Sequence, residues 1–433
     1  MSQTSVPVGS SLARKIFGAA LFARVIQAPS WLTNITGPAP KQSDAEAKLK
    51  GQTTKDMPVV RVTDLSKTAG DTVSVDAFDT IGGKPLMGDV NAEGRGEKLS
   101  SSSMDISINL STKVIDAGSK MGQQRTIYDL RGLAMANLSG YFPRLQNQVA
   151  LTQLAGARGT MVGKDWVVPT QADADFASIM INPIKAPTYN RHLVVDSATV
   201  GSLVAGGQQL GSIDSTDIWS LDHIDSLSLL LDDMVVPLNP VNVGDDPAAD
   251  DEPIKGVLWL TPRQWAQIKT NASGNANNWR TFLQNAWVRK SYGTKHPLFS
   301  GEPGLWNGIL VKVLPRTTIR LLPGDACNII TVANRYTATE SSQTINGSLT
   351  SGFGVERAIL LGAQALGNVF GKNQSSDYFF SWLENRYNFE RSLEVAGDCM
   401  GGMSKLRFTF ADGAGNMEPT DNGVIVIDSA VKL

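Results

Sequence analysis

Between residues 104 and 149 the hydrophobic period of this sequence switches from that of a strand to that of a helix. Met104, Ile106, Ile108 and Leu110 alternate with Asp105, Ser107, Asn109 and Ser111, as in a strand with one face wet or contacted. Ile127, Leu130, Ala134, Leu138, Tyr141, Leu145 and Val149 then recur at spacings of three and four, which is one stripe of a helix. A helix over Gln124–Ala155 is predicted, ended by Gly156 to Gly159, with a length of roughly 48 Å at ~1.5 Å per residue. Gly140 and Pro143 predict a kink or break near Ser139–Phe142. The stripe is expected to be buried, so that Asp at Leu138 or Leu145 would abolish soluble folding.

Two further strand signals precede the switch. Val59, Arg61, Thr63 and Leu65 alternate with Val60, Val62 and Asp64, and Val73, Val75 and Ala77 alternate with Ser74 and Asp76. Between the second and third signals lies Gly82–Ser103, rich in Gly, Ser and mixed charge, with only Leu86 and Met87 as apolar marks. So long an unpatterned loop is uncommon inside a compact domain, and a projecting two-stranded arm explains it better. A lone hairpin is barely stable, so this one is expected to rest on another chain. Residues 1–56 read as a further arm, of polar composition with short apolar patches and one possible short helix over 13–26. Its Arg14, Lys15, Arg24, Lys41, Lys48, Lys50 and Lys55 outnumber Asp44, Glu46 and Asp56.

The second half mixes elements without a βαβ rhythm or an internal repeat, an α+β mixture with long-range pairing. Leu221, Ile224, Leu227, Leu231 and Met234 predict a helix, and Asp245, Asp246, Asp250, Asp251 and Glu252 an acidic loop. Gly256–Leu260 reads as a buried strand, after which Thr261 caps a helix with Pro262 at its first position. Trp279, Phe282, Leu283 and Ala286 suggest one more helix. Strands are expected at Ile309–Leu314, Ile329–Val332, Ala358–Leu361, Leu406–Phe410 and Val424–Ile427.

Chemistry is scarce. Gly367-Asn-Val-Phe-Gly371-Lys372 is one residue short of a phosphate loop and has Asn373 where Ser or Thr should hold magnesium, so a turn after a strand is expected. Gly94-Arg-Gly96 lacks a third glycine and a following helix. Asp222, His223 and Asp225 cannot all face one direction on a helix, and the acidic loop lacks the alternating ligands and central Gly of an EF-hand. Cys327 and Cys399 form no CxxC pattern, and His192, His223 and His296 no HExxH pattern. No catalytic, cofactor-binding or metal-ligating residue is therefore assigned, and no cofactor. Arg14-Lys15 before Ile16–Ala23 makes a poor signal peptide, because the apolar run is short and Arg24 interrupts it. No run of ~18 apolar residues suits a membrane span. Asn137-Leu-Ser139 and similar sequons mean nothing without secretion.

Composition sharpens the question. Of 433 residues, 39 are Lys or Arg and 41 Asp or Glu, giving a net charge of −2 and a charged fraction of 18%. Ordinary soluble domains carry ~25%. Either much of the surface is uncharged polar, or something else covers it.

The order of elements resembles the major capsid protein of tailed bacteriophages, the Hong Kong 97 type of fold, in its short-tailed-phage branch. Val59-Val-Arg-Val-Thr-Asp-Leu65, Gly82-Gly-Lys-Pro-Leu-Met-Gly-Asp89 and Gly96-Glu-Lys-Leu-Ser100 are similar to that family's extended loop. Gln123-Gln-Arg-Thr126, Leu130-Arg-Gly-Leu-Ala134 and Gly140-Tyr-Phe142 resemble the start and middle of its spine helix. Leu258-Trp-Leu-Thr-Pro-Arg-Gln-Trp265 resembles its strand–Pro–helix–Trp step, and Leu305-Trp-Asn-Gly-Ile309 the turn into the next strand. The likeness is specific within 59–156, while 157–215 and the acidic loop look like additions.

The resemblance implies an α+β capsid fold with an N-terminal arm over 1–56, an extended β-hairpin loop over 57–120, and a spine helix and peripheral domain over 121–235. An axial domain over 236–395 and return strands to the peripheral domain over 396–433 would complete it. It implies a coat protein, not an enzyme, that forms pentamers and hexamers of an icosahedral shell around double-stranded DNA, located in the virion and assembled in the host cytoplasm. Implied partners are other copies of the chain, a portal protein, possible scaffolding and decoration proteins and, non-specifically, the packaged DNA; no membrane is implied. The alternative is an encapsulin-like nanocompartment, which shares the fold and encloses protein cargo. The Lys, Asn and Glu of a cross-linking isopeptide trio are not matched here.

Overall fold

The computed structural model describes residues 31–36, 56–62, 70–79, 84–88, 91, 93–96, 101–242, 254–270, 276–291, 304–316, 318–371, 380–412 and 415–433. Most of the arm, residues 63–69, the acidic loop and His296 lie outside the described residues.

The predicted buried strand Gly256–Leu260 lies inside an eight-stranded mixed sheet. From edge to edge the order is Ser202–Ala205, His192–Asp196, Val424–Lys432, Phe353–Leu361, Gly256–Leu260, Ile309–Val313 and Gly304–Trp306, with Arg320–Leu321 also paired to Phe353–Leu361. Its central strands are near-continuous apolar runs because both faces are covered. Leu258, Leu260, Leu360, Ile425 and Ile427 face the helices Leu221–Asp233, Pro262–Thr270 and Ala276–Ser291. Val257, Trp259, Ile359, Leu361, Val424 and Val426 face the end of the long helix, through Leu151, Leu154 and Ala155.

The second sheet runs Val59–Val62, Leu366–Phe370, Ser392–Lys405 and Phe380–Tyr387, with Asn109–Ser119 also paired to Ser392–Lys405. Ala134, Leu138 and Phe142 of the long helix pack on it against Ala117, Leu393, Val395 and Cys399. One helix thus lies across both sheets.

That helix runs Leu130–Ala155 without interruption at Pro143, in place of the predicted break near Ser139–Phe142. At its other end the predicted helix does break: Lys120–Arg125 forms a separate short helix capped by the Ser119 hydroxyl. Ile127 falls between the two and is 60% exposed. The stripe is amphipathic only in the first half, since the second half is enclosed on all sides by both sheets and by residues 157–182. Gln148 and Gln153 secure that segment. Gln148 Oε1 accepts the Val167 and Val168 N–H groups at 2.7 and 3.1 Å, and Gln148 Nε2 donates to the Asp165 carbonyl. Gln153 Nε2 donates to the Asn182 carbonyl at 2.8 Å. Residues 157–215, expected as an addition, therefore contribute to the core and supply two strands of the larger sheet.

Two strand predictions are corrected. The alternating run Met104–Ser111 is two strands: Ser101–Ser107 pairs with Thr72–Phe78 in the expected hairpin, and Asn109–Ser119 joins the second sheet. Ile108 is the joint, its N–H donating to the Asp71 carbonyl at 2.9 Å, and Leu110 beyond it is 49% exposed. The hairpin, expected to lean on another chain, rests at its base on its own. Met104 and Ile106, with Val73, Val75 and Ala77, pack on Val62, Val369, Leu406 and Phe408. The Thr409 N–H also donates to Ser102 Oγ at 3.1 Å. Further on, the strand expected at Ile329–Val332 is Ala326–Ile329, followed by a 3₁₀ turn at Val332–Asn334.

Candidate functional site

The residues flagged for chemistry scatter when placed in the fold. His223 is buried at the third position of its helix, and its Nδ1 accepts the Ser220 N–H at 3.1 Å. Asp225 accepts from Trp306 Nε1 at 2.7 Å, on a different side of the helix. Among the described residues no three His, Cys, Asp or Glu side chains converge as metal ligands. Gly367 to Phe370 belongs to a strand, not a phosphate loop, and its glycine answers to packing: a Cβ at Gly367 would lie 2.5 Å from Ile106 Cδ1. Gly94 to Gly96 lies exposed in the hairpin connection. Both cysteines are buried and unpaired.

The convergent charges lie elsewhere, enclosed. Arg357 donates from Nε and Nη2 to the two Asp428 oxygens, at 2.8 Å each, and from Nη1 to the Ala155 carbonyl at 2.8 Å. His192 Nε2 lies 2.7 Å from Asp428, and Cys327 Sγ is 3.4 Å from Arg357 Nη2. All of these side chains are buried. Burial alone would raise the Asp428 pKa, but the Arg357 charge and the hydrogen bonds from both partners outweigh it and hold the carboxyl well below the usual range. Burial pushes the His192 pKa down, against the pull of Asp428. The knot joins the end of the long helix to three strands of the larger sheet.

A second cluster fastens residues 185–188 to the return strands. Lys405 Nζ donates to Asp421 at 2.7 Å and to the Lys185 carbonyl at 3.1 Å, while Arg407 Nε donates to the other Asp421 oxygen at 2.7 Å. The Thr188 N–H donates to Asp421 as well. Burial lowers the Lys405 pKa to about 8, despite Asp421. Neither cluster opens to a substrate, so the chemistry available to them is fastening. The sequence did hold a signal for the first: a lone charge inside an apolar strand run, as at Asp428, needs a buried partner. Which partner it finds depends on residues far away in the chain.

What remains for function is surface. The hairpin carries Phe78, 63% exposed, and near its connection Leu86 and Met87, the latter 77% exposed. Val114 and Leu383 lie uncovered on the second sheet. The molecule is therefore a buried, charge-fastened body from which a hairpin extends, with apolar patches exposed on both. The sequence model of the phage capsid protein family matches residues 5–433, nearly the whole length. The chain belongs to the phage capsid protein family. As a capsid protein it is a structural subunit of a shell and not an enzyme.

Solved structures of capsids share this fold. The capsid of Ralstonia phage GP4 is 22% identical, with a TM-score of 0.71 over 100% of this chain and 99% of that one. The capsid of cyanophage Pam1 is 17% identical, with a TM-score of 0.58 over 96% and 100%. The acid-stable capsid of Helicobacter pylori bacteriophage KHP30 is 13% identical, with a TM-score of 0.56 over 99% and 99%. No curated protein sequence matches this capsid protein significantly. Among the described residues no helix is long and apolar enough to cross a membrane.

Proposed function

We propose that this chain is the major capsid subunit of its phage, forming pentamers and hexamers that close into an icosahedral shell around double-stranded DNA. The observation that carries this reading is the family match over 5–433, joined to a hairpin with exposed apolar residues beyond its supported base. Many weak contacts per subunit make a closed shell stable. The arm over 1–56 and the hairpin loop over 57–120 reach neighbouring copies. In this reading the peripheral unit is 121–235 with the return strands after 396, and the axial unit is 236–395. By pairing and packing, strands His192–Asp196 and Ser202–Ala205 and helix Leu221–Asp233 go with the larger sheet, and strands Leu366–Phe370 and Phe380–Tyr387 with the second. Strand Val424–Lys432 belongs with the larger sheet by its pairing.

In this reading a portal protein, and a scaffolding or decoration protein, are partners, and assembly takes place in the host cytoplasm. Near-neutral charge suits an inner wall that encloses DNA without gripping it. Electron micrographs of purified particles, with nuclease digestion, test the reading. Closed shells protecting DNA support it. Shells holding an enzyme would favour the nanocompartment alternative, and a monomer at all concentrations would overturn both.

A further inference from the structure

At the root of the hairpin the backbone takes a costly turn. Ile181 has φ 63° and ψ −60°, and the Asn182 N–H donates to the Met180 carbonyl at 2.7 Å, two residues back. This is the rarer, strained form of γ-turn. A β-branched residue is among the least suited to it. Strain of this kind persists only where its surroundings over-determine it, and it accompanies switches and clamps.

The turn presents the side chain of Asn182. Its Oδ1 accepts the Ser107 N–H at 2.9 Å, and its Nδ2 donates to the Ser107 carbonyl at 2.9 Å and the Met403 carbonyl at 3.2 Å. Its own carbonyl accepts from Gln153 of the long helix. Asn182 thus ties the last residue of the hairpin strand to the long strand Ser392–Lys405 through its side-chain amide, and to the helix through its main-chain carbonyl. Ser107 directly precedes Ile108, the joint at which the chain leaves the hairpin for the second sheet. Alongside lies a small cavity of ≈ 40 Å³, bordered by Ile181, Met180, Phe370 and Asn368, whose buried Oδ1 has no hydrogen-bond partner. That space gives the turn somewhere to relax.

We propose that Met180–Asn182 is a strained latch: Asn182 holds the hairpin root at one angle, and the strain at Ile181 favours release when the clasp is broken. The latch sets the direction from which the hairpin reaches a neighbour, so its use in assembly rests on the shell reading above. Its existence in the subunit does not. Phe408 and Ser102 support the hairpin further along, so release loosens the root rather than detaching the hairpin.

Two neighbouring substitutions in the full-length chain should act in opposite directions. Asn182→Ala should speed hydrogen exchange of the Ser107 amide at least tenfold while leaving the Thr409 amide protected. It should also widen the distance distribution between spin labels at M87C and S178C. Ile181→Gly removes the strain but keeps the clasp, so it should raise the unfolding temperature and leave Ser107 exchange unchanged or slower. Unchanged Ser107 exchange and label distances in Asn182→Ala would overturn the latch, as would an Ile181→Gly chain that loosens like Asn182→Ala. Both readouts use single subunits, so a failure of shell formation leaves the latch test intact.

Discussion

His223 pairs an ordinary structural role with an unusual titration. It completes a capping box with Ser220 at the start of helix Leu221–Asp233. Burial lowers its pKa from 6.5 to about 4, although Asp222 pulls upward. The unfolded chain takes up this proton near pH 6.5 and the folded chain not until about 4. Between those values the unfolded state binds more protons, so stability falls as pH falls, by about 3 kcal/mol for this residue. His192 shifts in the same direction. Asp428 and Asp421, held below the usual carboxylate range, lose their contributions only at lower pH. His223→Gln keeps a capping side chain and removes the titration. Urea unfolding at pH 7 and 4.5 should show its acid loss reduced by about 2 kcal/mol relative to the parent; an equal loss would acquit His223. Glycine sites make a second contrast at this scale. A Cβ at Gly402 would lie 2.0 Å from the Ser107 carbonyl oxygen, whereas Gly347 has open space around it. Gly402→Ala should cost at least ~2 kcal/mol, and Gly347→Ala within ~0.5 kcal/mol of nothing, by the same unfolding measurement.

The long helix shows what periodicity can and cannot convey. Its stripe at Ala134 and Leu138 is buried as the spacing implies, because that half meets one sheet. Beyond Leu145 the helix is covered on all sides, and buried Asn147, Gln148 and Gln153 look polar in sequence although they sit inside. Leu138→Asp should abolish soluble folding, with a cost of ~4 kcal/mol or more. Leu145 is only partly buried, so Leu145→Asp should yield some folded chain by circular dichroism, a milder outcome than the spacing alone suggests. The hairpin was legible from Val73, Val75 and Ala77 against Met104 and Ile106, because a strand with one wet face alternates strictly. Ser392–Lys405 was not legible. Its Gly397 must admit Leu138, with a Cβ there only 2.7 Å from Leu138 Cδ2, and Gly402 must admit Ser107, so close packing removes the side chains that periodicity reads. The candidate site was legible mainly by subtraction: Gly367 to Lys372 and the histidines offered motifs without context, and the charge knots depend on contacts between distant residues. Replacing residues 84–96 with a short Gly-Ser linker should leave helix content intact and prevent shells in electron micrographs; normal shells would show that the hairpin's outer part is dispensable.

At the scale of the molecule, the knot of Arg357, Asp428, His192 and the Ala155 carbonyl fastens the end of the long helix to the larger sheet. Arg357→Met strands a buried carboxylate and should cost ~3–5 kcal/mol. Arg357→Met with Asp428→Asn leaves a neutral, hydrogen-bonding pair with His192 and should recover part of that loss. Thermal unfolding of the two variants compares them, and an equal loss in both would mean that charge pairing contributes little.

The position of Val424–Lys432 in the larger sheet has a consequence for how the protein is made. This strand lies between Phe353–Leu361 and His192–Asp196, so it is the bridge between segments translated well before it. Until residues 424–432 have left the ribosome, both neighbours present open, apolar edges, and Arg357 has no carboxylate to meet. A chain whose translation stops earlier cannot close its core and is a candidate for aggregation or proteolysis. The order of synthesis thereby acts as a check on completeness, withholding an assembly-ready subunit from any message read only part of the way through this strand.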